Sequence, residues 1–254
     1  MFGELQMKST PFKIIAASIL LLLGFASQAA EQAPNDELTR LLKQRLGTDQ
    51  VAPPIETGIE GVYMTRIGNK FAYLIDGGRY VFIGDLIDLE QARNLTEVSR
   101  RNQVVDELAG FDIDKQIVFP AAGEEKAVLN VFTDTSCGYC QQLHREVGHL
   151  QEAGISVHYF PYPRGGSRGP GYHSLKQVWC SADRQTAISI AKGAEAGKLD
   201  AADDCNLAEA VDEGYRLGNR IGVSGTPSLF TSDGTRFNGY VPYRELIPQL
   251  LSKQ

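Results

Sequence analysis

A chain of 254 residues can hold one large domain or two smaller ones, and its 43% apolar and 22% charged residues exclude a disordered polymer. The formal net charge is −6 and no basic run or patch occurs, which argues against nucleic acid as a main partner. The four cysteines, Cys137, Cys140, Cys180 and Cys205, allow three pairings.

The first residues read as an export signal. Lys8 and Lys13 precede an apolar run from Ile14 to Ala26, and Ser27-Gln28-Ala29 places small residues at the cleavage positions. The run is about thirteen residues, short of the roughly twenty that span a bilayer. Cleavage after Ala29 is therefore expected, with an uncleaved anchor as the competing reading. Losing residues 1–29, which carry two Lys and one Glu, takes the net charge to −7. No second long apolar segment follows, so no stable membrane insertion is expected after cleavage.

Residues 30–34 read as a loose lead-in. Asn35 can cap a short helix with Leu38, Leu42 and Leu46 on one face and Gly47 at its end. Ile59 to Ile67, Lys70 to Ile75 and Arg79 to Ile83 read as a β-meander, with Gly68-Asn69 and Asp76-Gly77-Gly78 as turns. Residues 30–93 then form a small α+β unit. About sixty residues bury too little surface to be secure alone, so docking on a second copy through exposed strand edges is expected. Thr96 to Leu108 reads as a helix with Gly110 as its stop, either a linker over 94–110 joining two domains or an ordinary helix of one continuous domain.

From Phe111 onward strands and helices alternate. Ala127 to Phe132 is a buried-type strand, Gly138 to Ala153 a helix and Ile155 to Phe160 a second strand, the order of a βαβ unit with parallel strands. Helical segments follow over Tyr172 to Lys192 and Asn206 to Ile221. Ser228 to Thr231 and Arg236 to Tyr240 read as a hairpin, and Tyr243 to Leu251 as a last helix.

The chemistry concentrates at Cys137-Gly138-Tyr139-Cys140. Cys140, Leu143, Val147 and Leu150 fall on one helical stripe, which turns Cys140 toward the core. Cys137 lies one turn earlier, at the helix start, and is expected to be exposed there. Unpaired N–H groups of a first helical turn stabilise an anion, so a cysteine at that place has a lowered pKa and attacks disulfides as thiolate. A CxxC between a strand and a helix is a redox signal, whereas CxxC alone also serves zinc sites. Cys180 and Cys205 form no second short-spaced ligand couple, and Gln141 stands where a haem-attachment motif needs His. Neither metal nor cofactor is expected. The spacings favour pairing within each couple, with Cys180 and Cys205 as a structural bridge. His144 and His149 read as solvated helix residues, and Tyr139 as either a substrate contact or a packing residue. Thr226-Pro227 opens a strand; proline there is ordinary in trans, and a cis bond is the functional alternative.

The run Phe132-Thr133-Asp134-Thr135-Ser136-Cys137-Gly138-Tyr139-Cys140, with Gly222-Val223-Ser224-Gly225-Thr226-Pro227, resembles the DsbC family of thiol:disulfide interchange proteins. The likeness extends over the whole chain after the signal. It implies a cystatin-like N-terminal dimerisation domain, a linker helix and a thioredoxin-like catalytic domain over 111–254 with a helical insertion at about 165–220. It also implies a V-shaped homodimer in the periplasm whose uncharged cleft holds misfolded disulfide-containing exported proteins in a chaperone-like way. Cys137 and Cys140 match the redox pair, kept reduced by a DsbD-like membrane reductase, and Cys180 and Cys205 match the structural disulfide. Thr226 and Pro227 match a cis-proline loop that binds substrate backbone beside Gly138 and Tyr139. Thioredoxin's buried Asp, six residues before its first active cysteine, is here Val131. Pro stands in place of Gly138 in DsbG, and a Pro-His pair fills the motif of DsbA, so Gly138-Tyr139 fits the isomerase. A DsbG-like reductase protecting single cysteines and a mainly chaperone-type binding module are the alternatives.

Overall fold

The computed structural model describes residues 35–202 and 205–252. The signal and lead-in readings, residues 1–34, lie outside the described residues. Contacts divide the chain into two compact units, one ending at Gly84 and the other beginning at Asp85.

In the first unit, helix α1 spans 35–46 and already includes Asn35. Four strands follow: β1 (Ile55–Glu56), β2 (Val62–Ile67), β3 (Lys70–Ile75) and β4 (Tyr80–Ile83). They form one antiparallel sheet in the order β1-β2-β3-β4, with Met64 opposite Tyr73 and Tyr73 opposite Phe82. The turn after β3 carries left-handed φ of 62° and 83° at Gly77 and Gly78, which glycine adopts without strain, and 54° at Asp76, a residue type that tolerates this region. Leu42, Val51 and Leu74 form a small core with Leu38 and Tyr63 against it. Met64, Ala72 and Tyr73 are buried as well, so the two central strands are covered while the edge is not. All of β4, the edge strand Tyr80-Val81-Phe82-Ile83, is exposed.

The second unit opens with a short antiparallel pair, β5 (Ile87–Asp88) and β6 (Arg93–Asn94). Asn94 caps helix α2 (Leu95–Ala109), its side-chain oxygen accepting from the Glu97 N–H at 2.9 Å. α2 packs within this unit: Val104 and Leu108 are buried with Phe111, Phe132, Phe160, Leu217 and Phe230. A five-stranded sheet lies at the centre, in the order β11-β10-β8-β9-β7. Its strands are β7 (Ile117–Phe119), β8 (Ala127–Thr133), β9 (Ile155–Pro161), β10 (Ser228–Thr231) and β11 (Arg236–Asn238). β8 and β9 are parallel, as the βαβ order requires, with Phe132 opposite Phe160; the other pairs are antiparallel. Strand β7 went unseen in the sequence because three residues give too short a pattern.

Two expected helices are each broken in two. The helix after Cys137 is α3 (Gly138–Arg145) followed by α4 (Val147–Glu152), parted at Glu146. The Glu146 carboxylate accepts from Tyr240 Oη at 2.6 Å and from the Tyr243 N–H at 3.0 Å, so it serves the start of α8 (Tyr243–Leu251). The apolar stripe survives the break: Cys140, Leu143, Val147 and Leu150 are all buried. The segment from Tyr172 is α5 (Tyr172–Trp179) and α6 (Arg184–Ala191), and Asp183 caps the second by accepting from the Thr186 N–H at 3.0 Å. Helix α7 (Ala208–Arg220) completes the helical layer.

Candidate active site

Strand β8 delivers the chain to the site, and Asp134 shapes the turn that follows. Its side chain is fully buried and accepts from the Ser136 N–H at 2.9 Å, the Ser136 hydroxyl at 2.8 Å and the Arg164 N–H at 2.9 Å. The Arg164 guanidinium closes on the same carboxylate at 3.2 Å. Gly171 leaves room for this arrangement, since a Cβ there would sit 1.9 Å from Asp134 Oδ1. The turn ends on Cys137, the N-cap of α3.

An N-cap side chain folds back over the N–H groups of its own helix. Cys137 Sγ does so, accepting from the Cys140 N–H at 3.4 Å. This corrects the expectation of an exposed Cys137, which is only 3% exposed, between exposed Ser136, Gly138 and Tyr139. The sulfur is drawn inward by the donors that stabilise it, and it lies just beneath the surface. Cys140 is 1% exposed on the core side of the helix.

The two thiols are pushed in opposite directions. The Cys137 pKa falls to about 5, chiefly because the Cys140 S–H donates to its sulfur. Burial opposes that shift, while the Thr226 hydroxyl, the Cys140 N–H and the Arg164 charge reinforce it. Burial pushes the Cys140 thiol far up, helped by the bond it gives Cys137, and the Lys192 charge works the other way. Burial thus dominates at Cys140 and loses at Cys137.

The loop before β10 meets this pair. The Thr226–Pro227 bond is cis. As a thiol, Cys137 donates to Thr226 O at 3.2 Å; as a thiolate it gives that bond up. The buried Thr226 hydroxyl finds no hydrogen-bond partner among the described residues, and it lowers both thiols. Tyr139 is 64% exposed and stacks on Tyr240 with ring centroids 6.1 Å apart. A Cβ on Gly138 would meet nothing within 4 Å, so the approach to Cys137 is open on that side.

Cys137, Gly138, Tyr139, Cys140, Thr226 and Pro227 therefore come together, while Cys180 and Cys205 do not join them. Those two are bonded to each other, with Cα atoms 5.6 Å apart, at the end of α5 and ahead of α7. Among the described residues, no group of three or more His, Cys, Asp or Glu could hold a metal ion. His144 is corrected from a solvated residue to a buried one, bonded to Tyr159 Oη and Ser189 Oγ at 3.0 Å each. Burial, then the Lys192 charge, lower its pKa to about 3, so it stays neutral. Asp134, Arg164 and Lys192 were not singled out from the sequence. Asp134 stands in the recognisable run before Cys137, but Lys192 looks there like any lysine at a helix end.

A parallel strand–CxxC–helix unit, a cis-proline loop against the first sulfur and a dithiol of split acidity define a thioredoxin-like thiol–disulfide oxidoreductase. The family model described as a thioredoxin-like domain matches residues 115–253, and that of the disulfide bond isomerase protein N-terminal domain matches residues 26–97. The thiol:disulfide interchange protein DsbC of Dickeya dadantii is 32% identical over 229 residues, 90% of this chain and 92% of the relative. That of Pasteurella multocida is 29% identical over 233 residues, 92% of this chain and 97% of the relative. A solved disulfide interchange protein from Neisseria gonorrhoeae is 25% identical, covering 55% of this chain and 98% of its own, with a TM-score of 0.46. The chain belongs to the DsbC family of thiol:disulfide interchange proteins, and it is an enzyme of the protein disulfide isomerase and oxidoreductase class.

Proposed function

We propose that the Cys137–Cys140 dithiol rearranges incorrect disulfides in exported proteins. The observation that carries this is the split between the sulfurs: Cys137 is ionised at neutral pH, and Cys140 is held protonated beside it. Cys137 thiolate attacks a substrate disulfide; the Cys137–substrate bond forms, the substrate's S–S bond breaks, and one substrate sulfur leaves as thiolate. A second substrate thiolate can then attack the mixed disulfide, which releases a rearranged substrate and regenerates Cys137. Cys140 attacking Cys137 instead releases a reduced substrate.

Gly138, Tyr139, Thr226 and Pro227 bind the substrate chain around this sulfur. The Thr226 carbonyl, freed when Cys137 ionises, accepts a substrate backbone N–H. Cys180 and Cys205 hold the helical layer as a structural disulfide. Residues 30–93 serve as the dimerisation domain, and the exposed apolar edge Tyr80–Ile83 supports pairing with a second copy. Helix 94–110 joins it to the catalytic domain over 111–254. The protein works in the periplasm after signal cleavage, is re-reduced by a DsbD-like membrane reductase and holds misfolded chains in the dimer cleft.

Refolding of a scrambled multi-disulfide protein tests the reading. Cys137→Ala is expected to abolish it while leaving suppression of aggregation in place; full rescue by that variant would refute the isomerase. Cys140→Ala should trap multi-disulfide clients as mixed disulfides. Capture of single-thiol proteins alone would favour the DsbG-like reductase.

A further inference from the structure

Lys192, just past the end of α6, is 1% exposed. Its ammonium donates to Thr133 Oγ1 at 2.7 Å and to Asp134 O at 3.4 Å, and it lies 5.7 Å from the centre of the Tyr159 ring. Among the described residues, no carboxylate stands within ion-pair distance of it. The one acid whose charge reaches it, Asp134, already binds Arg164 and Ser136. A buried ammonium without a direct counterion is costly, and an apolar side chain would fill the place at less cost.

The anions this pocket can offer are sulfurs. Lys192 is faced by Thr133 and Asp134 from the end of β8, by Tyr159 from β9, by Cys140 and His144 from α3, and by Cys137 at its cap. His144 is neutral, and burial pushes the Tyr159 phenol far up, so neither supplies charge at neutral pH. Burial lowers the Lys192 pKa to about 8, and Cys140, Cys137 and Asp134 act to raise it. Val131, fully buried, offers no proton acceptor.

We propose that the Lys192 ammonium is the buried countercharge that lets Cys140 ionise in the step that frees substrate from Cys137. This rests on Cys137 and Cys140 being the reacting pair. In the mixed disulfide Cys137 Sγ is bonded to the substrate sulfur and carries no charge, so the field of Lys192 falls on Cys140 alone. The Cys140 S–H gives its proton to solvent, and the thiolate attacks Cys137 Sγ. The Cys137–Cys140 bond forms and the Cys137–substrate bond breaks. The electron pair leaves on the substrate sulfur, which takes up a proton. The cysteine pair is oxidised by two electrons and the substrate disulfide is reduced to two thiols. Lys192 touches no reacting atom in the structure; it is a positioning residue acting through the field and through Thr133 and Asp134.

The test is acid-quenched kinetics of the reduced full-length protein with a disulfide-bonded peptide, comparing wild type with Lys192→Met. The variant keeps the side-chain length and removes the charge. Formation of the mixed disulfide should be little changed. Release of the peptide should slow at least about threefold, because each lost pKa unit removes about nine-tenths of the thiolate while added nucleophilicity returns part. That deficit should shrink as pH rises past about 8, where Lys192 itself loses its proton. Equal slowing of both steps, or no slowing of release, overturns the proposal. If Lys192→Met does not fold, the Lys192 side chain is titrated by NMR in the wild-type protein. Its midpoint should drop on oxidation, which removes both thiols, and an unchanged midpoint overturns the proposal. Failure of wild-type Cys137 to form the mixed disulfide at all would instead remove the reading underneath.

Discussion

Two pairs of cysteines share one unit and sit at opposite ends of helices. Cys137 caps the N-terminus of α3, whereas Cys180 is the C-terminal cap of α5, its N–H bonded to Lys176 O at 3.0 Å. The first place gathers unpaired N–H groups and partial positive charge; the second gathers unpaired carbonyls and partial negative charge. A thiolate is stabilised at one and opposed at the other. Cys137 and Cys140 stay free, and Cys180 and Cys205 are joined. Reactivity here belongs to the backbone position and its donors more than to the residue type.

Exchange at both cysteine pairs would erase the difference between them. On the proposed reading Cys137→Ala lowers refolding of scrambled protein to the level of the redox buffer, and Cys180→Ala/Cys205→Ala leaves alkylation of Cys137 unchanged. That double variant should lose stability instead, by roughly 3 kcal/mol in the chain-entropy account of a closed loop, read by denaturant unfolding.

Proton linkage sharpens the contrast. Cys137 has a folded pKa of about 5 against an ordinary value of 9.0, so between these the unfolded chain binds the extra proton. Stability of the reduced protein should therefore rise with pH across that window. It should be lost again as pH falls through 5, and the oxidised protein should lack this slope. Cys140, whose pKa is raised, acts oppositely and erodes stability only above 9.0. Over the same window the potential of the pair should move about 30 mV per pH unit, one proton for two electrons. Smaller effects are expected from single contacts. Thr226→Val should raise the Cys137 midpoint by less than about one unit, since the hydroxyl is a lesser contributor than the Cys140 S–H. Tyr139→Ala, which removes the stack on Tyr240, should weaken substrate capture by about 1 kcal/mol or less while leaving that midpoint in place.

Much of this was legible in the chain because local pattern carries it. The stripe Cys140-Leu143-Val147-Leu150 gave the inward face of the CxxC helix, and the meander turns at Gly68 and Asp76-Gly77-Gly78 stand where read. What was missed depends on partners far apart in sequence. The helix parts at Glu146, whose carboxylate binds Tyr240 and Tyr243, and no window around residue 146 contains those partners. Lys192 meets Thr133 across 59 positions, and Arg164 meets Asp134 across 30. Cys137 was expected in the open because helix-start reasoning fixes where a residue lies but not that its side chain folds back under the Thr226 loop.

Titrating each thiol of the reduced protein separately, by NMR of cysteine Cβ, reads the split between the two sulfurs itself. The Cys137 midpoint should fall near 5 with Cys140 still protonated above 9.0. Two overlapping midpoints near 9.0, or Cys140 ionising first, would contradict it.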